Sequence, residues 1–141
     1  MTLPVKAGKQ AGAMMLEALI GILIFSAGIL ALIGMQAAAI AYVADAKYRA
    51  DASFLANQII ASMWVNRANL SSYAYTGSGS VPSVIQGWET SVENALPGAS
   101  SNKPIITVDT TTGQVSVTVR WRPPKAEAVH NHKTIAIITN P

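Results

Sequence analysis

The sequence contains no cysteine, and this absence excludes two classes of site at once. Neither disulfide bridges nor thiolate metal sites can form, so the stability of any folded domain must come from packing. Charge is also sparse, since only 12% of the 141 residues are Asp, Glu, Lys or Arg, whereas roughly a quarter is usual in a soluble domain. The net charge of +3 comes without a dense Lys/Arg patch, so nothing indicates a nucleic-acid partner.

Charge and proline are both missing from a long stretch near the N-terminus. Residues 18–44, between Glu17 and Asp45, contain neither, and most of them are apolar. A membrane-spanning helix needs about 20 such residues, and in lipid a single segment satisfies its backbone hydrogen bonds only as a helix. The alternative is a buried helix of a soluble protein, which needs a wider core than a chain of 141 residues builds. The stretch therefore predicts a transmembrane helix.

Three kinds of membrane segment fit these residues: a secretory signal peptide, an uncleaved signal anchor and a prepilin. A signal peptide would use Lys6 and Lys9 as its basic region and Ala37–Ala39 as its small-residue cleavage site. Its apolar region normally has only about 7–15 residues, however. Glu17 favours the prepilin, because a carboxylate in the membrane costs at least about 2.5–3.5 kcal/mol and has no use in the other two.

The segment from Lys9 to Ile20 resembles the class III signal of type IV prepilins. That signal is a basic leader ending in glycine, then four mostly apolar residues, a glutamate and a long apolar helix; Gly12 and Glu17 match its two fixed positions. The resemblance implies that residues 1–12 are a leader, which prepilin peptidase removes between Gly12 and Ala13. It also implies N-methylation of the new amine of Ala13, although this family usually begins its mature chain with Phe or Met.

The same resemblance implies that Glu17 docks one subunit on another. A free amine at Ala13 and a carboxylate at Glu17 are both costly in a dry filament core, and an opposite charge within about 4–6 Å stabilises each of them. In the family, the glutamate of an incoming subunit pairs with the N-terminus of a subunit already in place. The alternative is a carboxylate that extends to the membrane interface and has no partner.

Beyond Asp45, charged residues return and the pattern becomes that of an amphipathic helix. Apolar residues recur at spacings of three and four, which predicts one helix from about Met14 to about Asn69. They are Tyr48, Ala52, Leu55, Ile59 and Met63. Within the apolar half, Gly21 and Gly28 lie near the same face, which indicates either close approach of another helix or a segment that can unwind locally.

The remainder predicts a small domain with one short helix and a sheet. Residues 71–82 form a loop whose Tyr73 and Tyr75 can dock on a surface, and Ser83 can cap a helix that ends near Leu96. The predicted strands are Ile105–Asp109, Val115–Arg122 and Thr134–Thr139, with a hairpin turn at 110–114 and a polar connector at 125–133. In the second strand Val115, Val117, Val119 and Trp121 alternate with polar residues. The long helix is the available cover for the sheet, so the predicted fold class is α+β.

The order of these elements resembles the minor pilins of the PilV type, and pseudopilins of the I type from type II secretion share it. The resemblance implies residues 13–44 as the transmembrane and filament-core half of the helix, and residues 45–141 as an extracytoplasmic, periplasmic domain. The protein would lie in the bacterial inner membrane and in a pilus. Its implied partners are prepilin peptidase, other minor pilins, the major pilin, the inner-membrane assembly platform and a tip adhesin.

Other functions have weaker support. His130 and His132 form a His-x-His in the polar connector, where only Glu127 could add a ligand, so we expect a solvated loop and no metal or cofactor. Asp109 has no nucleophile motif near it, so the protein is not expected to be an enzyme. Arg120, Arg122 and Lys125 form a basic stripe that suits either a partner or solvent.

Three functions are therefore weighed from the sequence. The first is a minor pilin that co-assembles with other subunits and primes or caps a filament near its tip, with the type II secretion pseudopilin as a close alternative. The second is a binding or sensor domain anchored in the inner membrane that never enters a filament. The third is a soluble domain released by cleavage near Ala39. Cleavage after Gly12 distinguishes the first from the others.

Overall fold

The structure, a computed structural model, describes residues 10–139. The chain forms a long helix, two short helical segments and three strands, in that order. They are α1 (Gln10–Val65), a 3-10 helix (Arg67–Tyr73), α2 (Gln86–Ala95), β1 (Ile105–Asp109), β2 (Gln114–Trp121) and β3 (His130–Ile137). The strands form one antiparallel sheet in the order β1-β2-β3. The predicted α+β, pilin-like fold is confirmed.

The chain divides into two compact units between Val43 and Ala44. The first unit is the N-terminal part of α1, and every side chain described in it, from Gly12 to Val43, is exposed. The second unit contains the rest of α1 together with the sheet and the shorter elements, and its core contains residues from all of them. This division lies one residue before the predicted boundary at residue 44.

The second half of α1 covers one face of the sheet through the predicted amphipathic stripe. Ala52, Leu55, Ile59 and Met63 are all buried, and Tyr48 packs against the same core. On α2, Trp88 donates a hydrogen bond from its indole Nε1 to the backbone oxygen of Leu55, at 2.8 Å. This bond gives the buried indole a polar partner and holds α2 against α1.

The central strand β2 follows the predicted alternation. Its apolar residues are fully or almost fully buried: Val115, Val117, Val119 and Trp121. The other face is less uniform than predicted, because Ser116 is also buried while Thr118 and Arg120 are half-buried. Strand β1 matches its predicted bounds, and β2 is shifted by one residue at each end.

The long helix ends earlier than predicted, at Val65 instead of Asn69. The chain turns at Asn66 because Leu70 and Tyr73 of the following 3-10 helix are buried against the core. The hydroxyl of Tyr73 donates to the backbone oxygen of Ser62, at 3.3 Å, which ties this segment back to the last turn of α1. Tyr73 and Tyr75 therefore dock on the domain as expected, but residues 71–73 are helical, not loop.

The second helix begins two residues later than predicted, at Gln86, and Ser83 does not cap it. Residues 83–85 form a turn, in which the N–H of Ile85 donates to the backbone oxygen of Pro82, at 3.0 Å. The turn buries Ile85 completely and leaves Val84 38% exposed. The predicted helix face is therefore correct at Trp88, Val92 and Leu96 and wrong at Val84.

The third strand corrects the largest error in the sequence-based prediction. It spans His130–Ile137, so the last four residues of the predicted polar connector pair with β2, and Thr139 lies beyond the strand. His130 lies opposite Trp121 and Ile137 opposite Gln114. Strand pairing uses backbone groups, so polar residues such as His130–Lys133 can form a strand at the edge of a sheet.

The predicted hairpin turn joins β1 to β2 and depends on Asp109 and Gly113. The Asp109 carboxylate accepts hydrogen bonds from the Thr112 hydroxyl, at 2.7 Å, and from the Thr111 N–H, at 2.8 Å. These bonds lower the pKa of Asp109, and the bond from the Thr112 hydroxyl has the largest effect. Gly113 has a φ of +70°, a left-handed conformation that glycine adopts without a steric penalty. Asp109 thus has a structural role at the turn.

A buried carboxylate on α2 has its own counter-ion. Glu89 is only 5% exposed, and the Lys103 ammonium lies between its carboxylate and that of Glu93. The contact with Glu89, followed by that with Glu93, raises the pKa of Lys103 above its ordinary value. Arg120 donates from Nε and Nη2 to the backbone oxygen of Lys103, at 2.9 and 2.6 Å, and so connects this group to β2.

We expect Lys103→Met to destabilise the domain by about 1–3 kcal/mol, because Glu89 then keeps a buried charge without its cation. Because the pKa of Lys103 is raised on folding, its contribution is complete below the ordinary lysine value of 10.5 and is lost as the pH rises further. Urea unfolding at pH 7 and above pH 11 measures both effects. Lys125→Met, at an exposed position, is the control; equal losses for the two variants would contradict the assignment.

Candidate functional site

The three residues predicted to direct processing and docking lie near the start of α1. All three residues are helical and exposed: Gly12, Ala13 and Glu17. The rest of the proposed leader, residues 1–9, is outside the described part of the chain. Ala13 and Glu17 are four residues apart, so their Cβ atoms lie about 5–6 Å from each other on one face of the helix. The structure therefore places Ala13 and Glu17 one turn apart on the same face of α1.

The surface around Glu17 is apolar along the whole first unit. Large hydrophobic side chains are exposed along most of its length, among them Leu19, Leu23, Phe25, Leu30, Ile33 and Ile40. Glu17 is the only charged residue between Gly12 and Ala44. Among the residues that the structure describes, α1 is the helix long and apolar enough to cross a membrane. This arrangement suits a membrane anchor that presents one carboxylate near its N-terminal end.

The glycines in this half of α1 have space beside them. A Cβ atom built on Gly21, Gly28 or Gly34 would meet no atom within 4 Å, so no contact in the first unit requires a glycine at these positions. The cost of about 1 kcal/mol per glycine in a helix interior is therefore not explained within this unit. Both earlier interpretations, approach of another helix and local unwinding, stay open.

A small polar cluster lies where charged residues return after the apolar run. The Asp45 carboxylate accepts a hydrogen bond from Arg49 Nε, at 2.9 Å, and its other oxygen lies 3.2 Å from His130 Nδ1. The Arg49 bond, more than the nearby His130, lowers the pKa of Asp45. The imidazole of His130 also stands edge-on to the Trp121 ring, with centroids 5.8 Å apart. This cluster links α1 to β2 and β3.

The sequence pattern does not reveal this cluster, because it predicts a solvated loop at His130. His130 lies 85 positions after Asp45 in the sequence, and it reaches Asp45 only because β3 begins at His130 and not at the predicted Thr134. The second histidine, His132, lies 3.0 Å from the Thr134 hydroxyl on the same strand. Among residues 10–139, no group of three or more His, Asp or Glu side chains is arranged to hold a metal ion.

The predicted basic stripe is divided between two environments. Arg120 lies on β2, is half-buried and donates hydrogen bonds to the backbone oxygen of Lys103. Arg122 follows the strand, and Lys125 lies in the next turn. The three residues are therefore not one strand face.

Comparisons with protein-family models, with curated proteins and with solved structures found no match to this chain.

Proposed function

We propose that the protein is a minor pilin of the PilV type, anchored in the bacterial inner membrane by the first half of α1. One observation supports the proposal above all: an exposed apolar half-helix has a single carboxylate, Glu17, one turn after Ala13, and a folded α+β domain follows it. A plain membrane anchor has no need of that carboxylate, and lipid makes it costly.

The proposed mechanism begins with processing. Prepilin peptidase cuts the Gly12–Ala13 bond and leaves the amine of Ala13, which is then methylated, at the end of the apolar helix. The subunit next moves from lipid into a filament base held by the inner-membrane assembly platform. There its Glu17 pairs with the amine of a neighbouring subunit, and apolar helices pack around the pair. Its periplasmic domain, residues 45–141, contacts other minor pilins, the major pilin or a tip adhesin.

Cleavage after Gly12 is the first test. The mature protein in the membrane fraction should begin at Ala13 and have one methyl group, as read by N-terminal mass spectrometry. Gly12→Leu should leave the precursor uncut, because processing in this family depends on the glycine. Gly34→Leu makes the same change in the same helix, away from the cleaved bond, and should be processed normally.

The other candidate functions give different results in this test. A membrane-anchored binding domain keeps Met1, and a secreted domain begins near residue 40. Either result would contradict the pilin proposal. A type II secretion pseudopilin is processed in the same way as a pilin, so a cleaved protein must next be sought in sheared pili. Its presence there supports the PilV type, and its presence only with secretion components supports the pseudopilin.

A further inference from the structure

The two edges of the sheet differ in how they are covered. At the β1 edge the chain adds one residue of its own: Ile106 and Tyr75 exchange two backbone hydrogen bonds, of 2.8 and 2.9 Å. At the other edge, β3 pairs with β2 on one side, and residues 10–139 provide no strand for its second side. Within the described residues, the β1 edge is thus paired at one position and the β3 edge has no partner strand.

Strand β3 has few of the features that normally prevent an edge from pairing. It is eight residues long, it contains no proline, and its register with β2 runs without a bulge from His130 to Ile137. Natural edge strands are usually short, bulged, covered or charged. Here Lys133 is the one Lys, Arg, Asp or Glu in the strand, and the large side chains of Ile135 and Ile137 are 54% and 59% exposed.

The ladder between β2 and β3 shows which backbone groups are free. The N–H of Ile138 donates to the backbone oxygen of Gly113, at 2.8 Å, just past the end of the strand. In an antiparallel pair, residues that face the neighbouring strand alternate with residues that face away. The backbone groups of Asn131, Lys133, Ile135 and Ile137 therefore point to the open edge, and those of Thr134 point to β2.

On the sheet face away from α1, the charges of β2 and β3 are all of one sign, whereas Asp45 lies beside His130 on the other face. Strands β2 and β3 contain no Asp or Glu, and they contain Arg120 and Lys133. Lys133 lies opposite Thr118 and Arg120 opposite Asn131, so both cations are on the sheet face away from α1, as are Ile135 and Ile137. On this face, an added strand would meet three side chains at alternate positions of β3: Ile137, Ile135 and Lys133. A second copy would bring the same basic strand, which makes it a poor match.

We propose that the open edge of β3 binds an extended, acidic segment of another polypeptide, which joins the sheet as a fourth, antiparallel strand. The segment has apolar residues opposite Ile135 and Ile137 and a carboxylate opposite Lys133. Its backbone bonds to the free groups of β3 provide the attachment, and the side chains determine which segment fits. This inference goes beyond the proposed function and does not depend on cleavage, methylation or a filament.

The test uses the full chain in detergent and a labelled peptide of alternating valine and threonine, with one glutamate in the position that faces Lys133. In the free protein, the amides of Lys133 and Ile135 should exchange with deuterium much faster than that of Thr134. The peptide should slow exchange at Lys133 and Ile135 and leave Thr134 unchanged. A peptide with lysine in place of glutamate should bind on the order of 2–5-fold more weakly, as judged by fluorescence anisotropy.

Two variants locate the interaction. Ile135→Pro removes an outward N–H without removing a bond to β2, and should reduce binding at least about tenfold. Lys133→Glu keeps every backbone donor, so it remains informative if the proline variant unfolds; it should reverse the preference between the two peptides. Thr107→Glu places the same charge on the same sheet face but on β1, and should leave the preference unchanged.

Several results would overturn the proposal. They are equal binding of both peptides to the wild-type chain, no slowing of exchange at Lys133 and Ile135 at millimolar peptide, and loss of the preference in Thr107→Glu as well as Lys133→Glu. Protection of the same amides that rises with protein concentration, without peptide, would show that a second copy occupies the edge. None of these results depends on the filament, so the proposed function is tested separately.

Discussion

Glu17→Gln is expected to lower the amount of this protein in sheared filaments at least about tenfold, with the membrane fraction unchanged. In the proposed assembly, the amine of a neighbouring Ala13 loses its counter-charge in apolar surroundings. A loss of only 1.4 kcal/mol of pairing energy already gives a factor of about ten, and unpaired charges in such places usually cost more. Membrane insertion is not impaired, since the carboxylate itself costs about 2.5–3.5 kcal/mol there.

Glutamine keeps the shape and hydrogen-bonding ability of the side chain, so this variant isolates the charge. Glu127→Gln makes the same change at an exposed position of the turn before β3 and is the matched control. Cleavage after Gly12 should persist in both variants and is checked by mass spectrometry. Equal amounts of wild type and Glu17→Gln in filaments, at equal expression, would refute the electrostatic docking.

Gly113→Ala is expected to destabilise the domain by about 2–4 kcal/mol. Two costs combine at this position. The φ of +70° costs an L-residue about 1–2 kcal/mol, and the new Cβ would lie 2.4 Å from the backbone oxygen of Ile138, so the turn or the end of β3 must shift. For a unit of this size, each kcal/mol lowers Tm by about 4–8 °C. Urea unfolding followed by the fluorescence of the buried Trp88 and Trp121 measures the loss.

Gly79→Ala provides the matched control for that prediction. Gly79 has a nearly identical φ of +77°, but a Cβ there would meet no atom within 4 Å. Only the backbone cost of about 1–2 kcal/mol should appear. The difference between the two variants therefore measures the contact with Ile138. If both glycines give the same loss, the hairpin turn is more adaptable than its geometry indicates.

Much of the domain could be predicted because its pattern is local. The strict alternation of Val115 to Trp121 predicts one buried face, and the three- and four-residue spacing along α1 predicts the helix face that covers it. The error at α2 shows the limit of such patterns. Val84 and Ile85 both fit a helical stripe with Trp88 and Val92, and only the turn after Pro82 determines which one is buried.

The rest could not be predicted because it depends on pairing between distant residues. Nothing in the composition of His130–Lys133 indicates a strand; the register with β2 does, and it brings His130 to Asp45 and Trp121. The early end of α1 likewise follows from the burial of Tyr73, whose hydroxyl reaches Ser62. For the candidate site, the sequence predicted the spacing of Ala13 and Glu17, which the helix converts into proximity on one face.

For the proposed transfer from the membrane into a filament, the exposed apolar surface of residues 12–43 has a consequence. Lipid tails and the apolar sides of other helices are nearly equivalent solvents for such a surface, so the hydrophobic effect opposes exposure to water and does not distinguish between the two. Transfer from one to the other is therefore close to neutral in free energy along most of the helix. The direction of transfer then depends on shape at Gly21 and Gly28 and on the one carboxylate, Glu17, which is the group that lipid solvates worst.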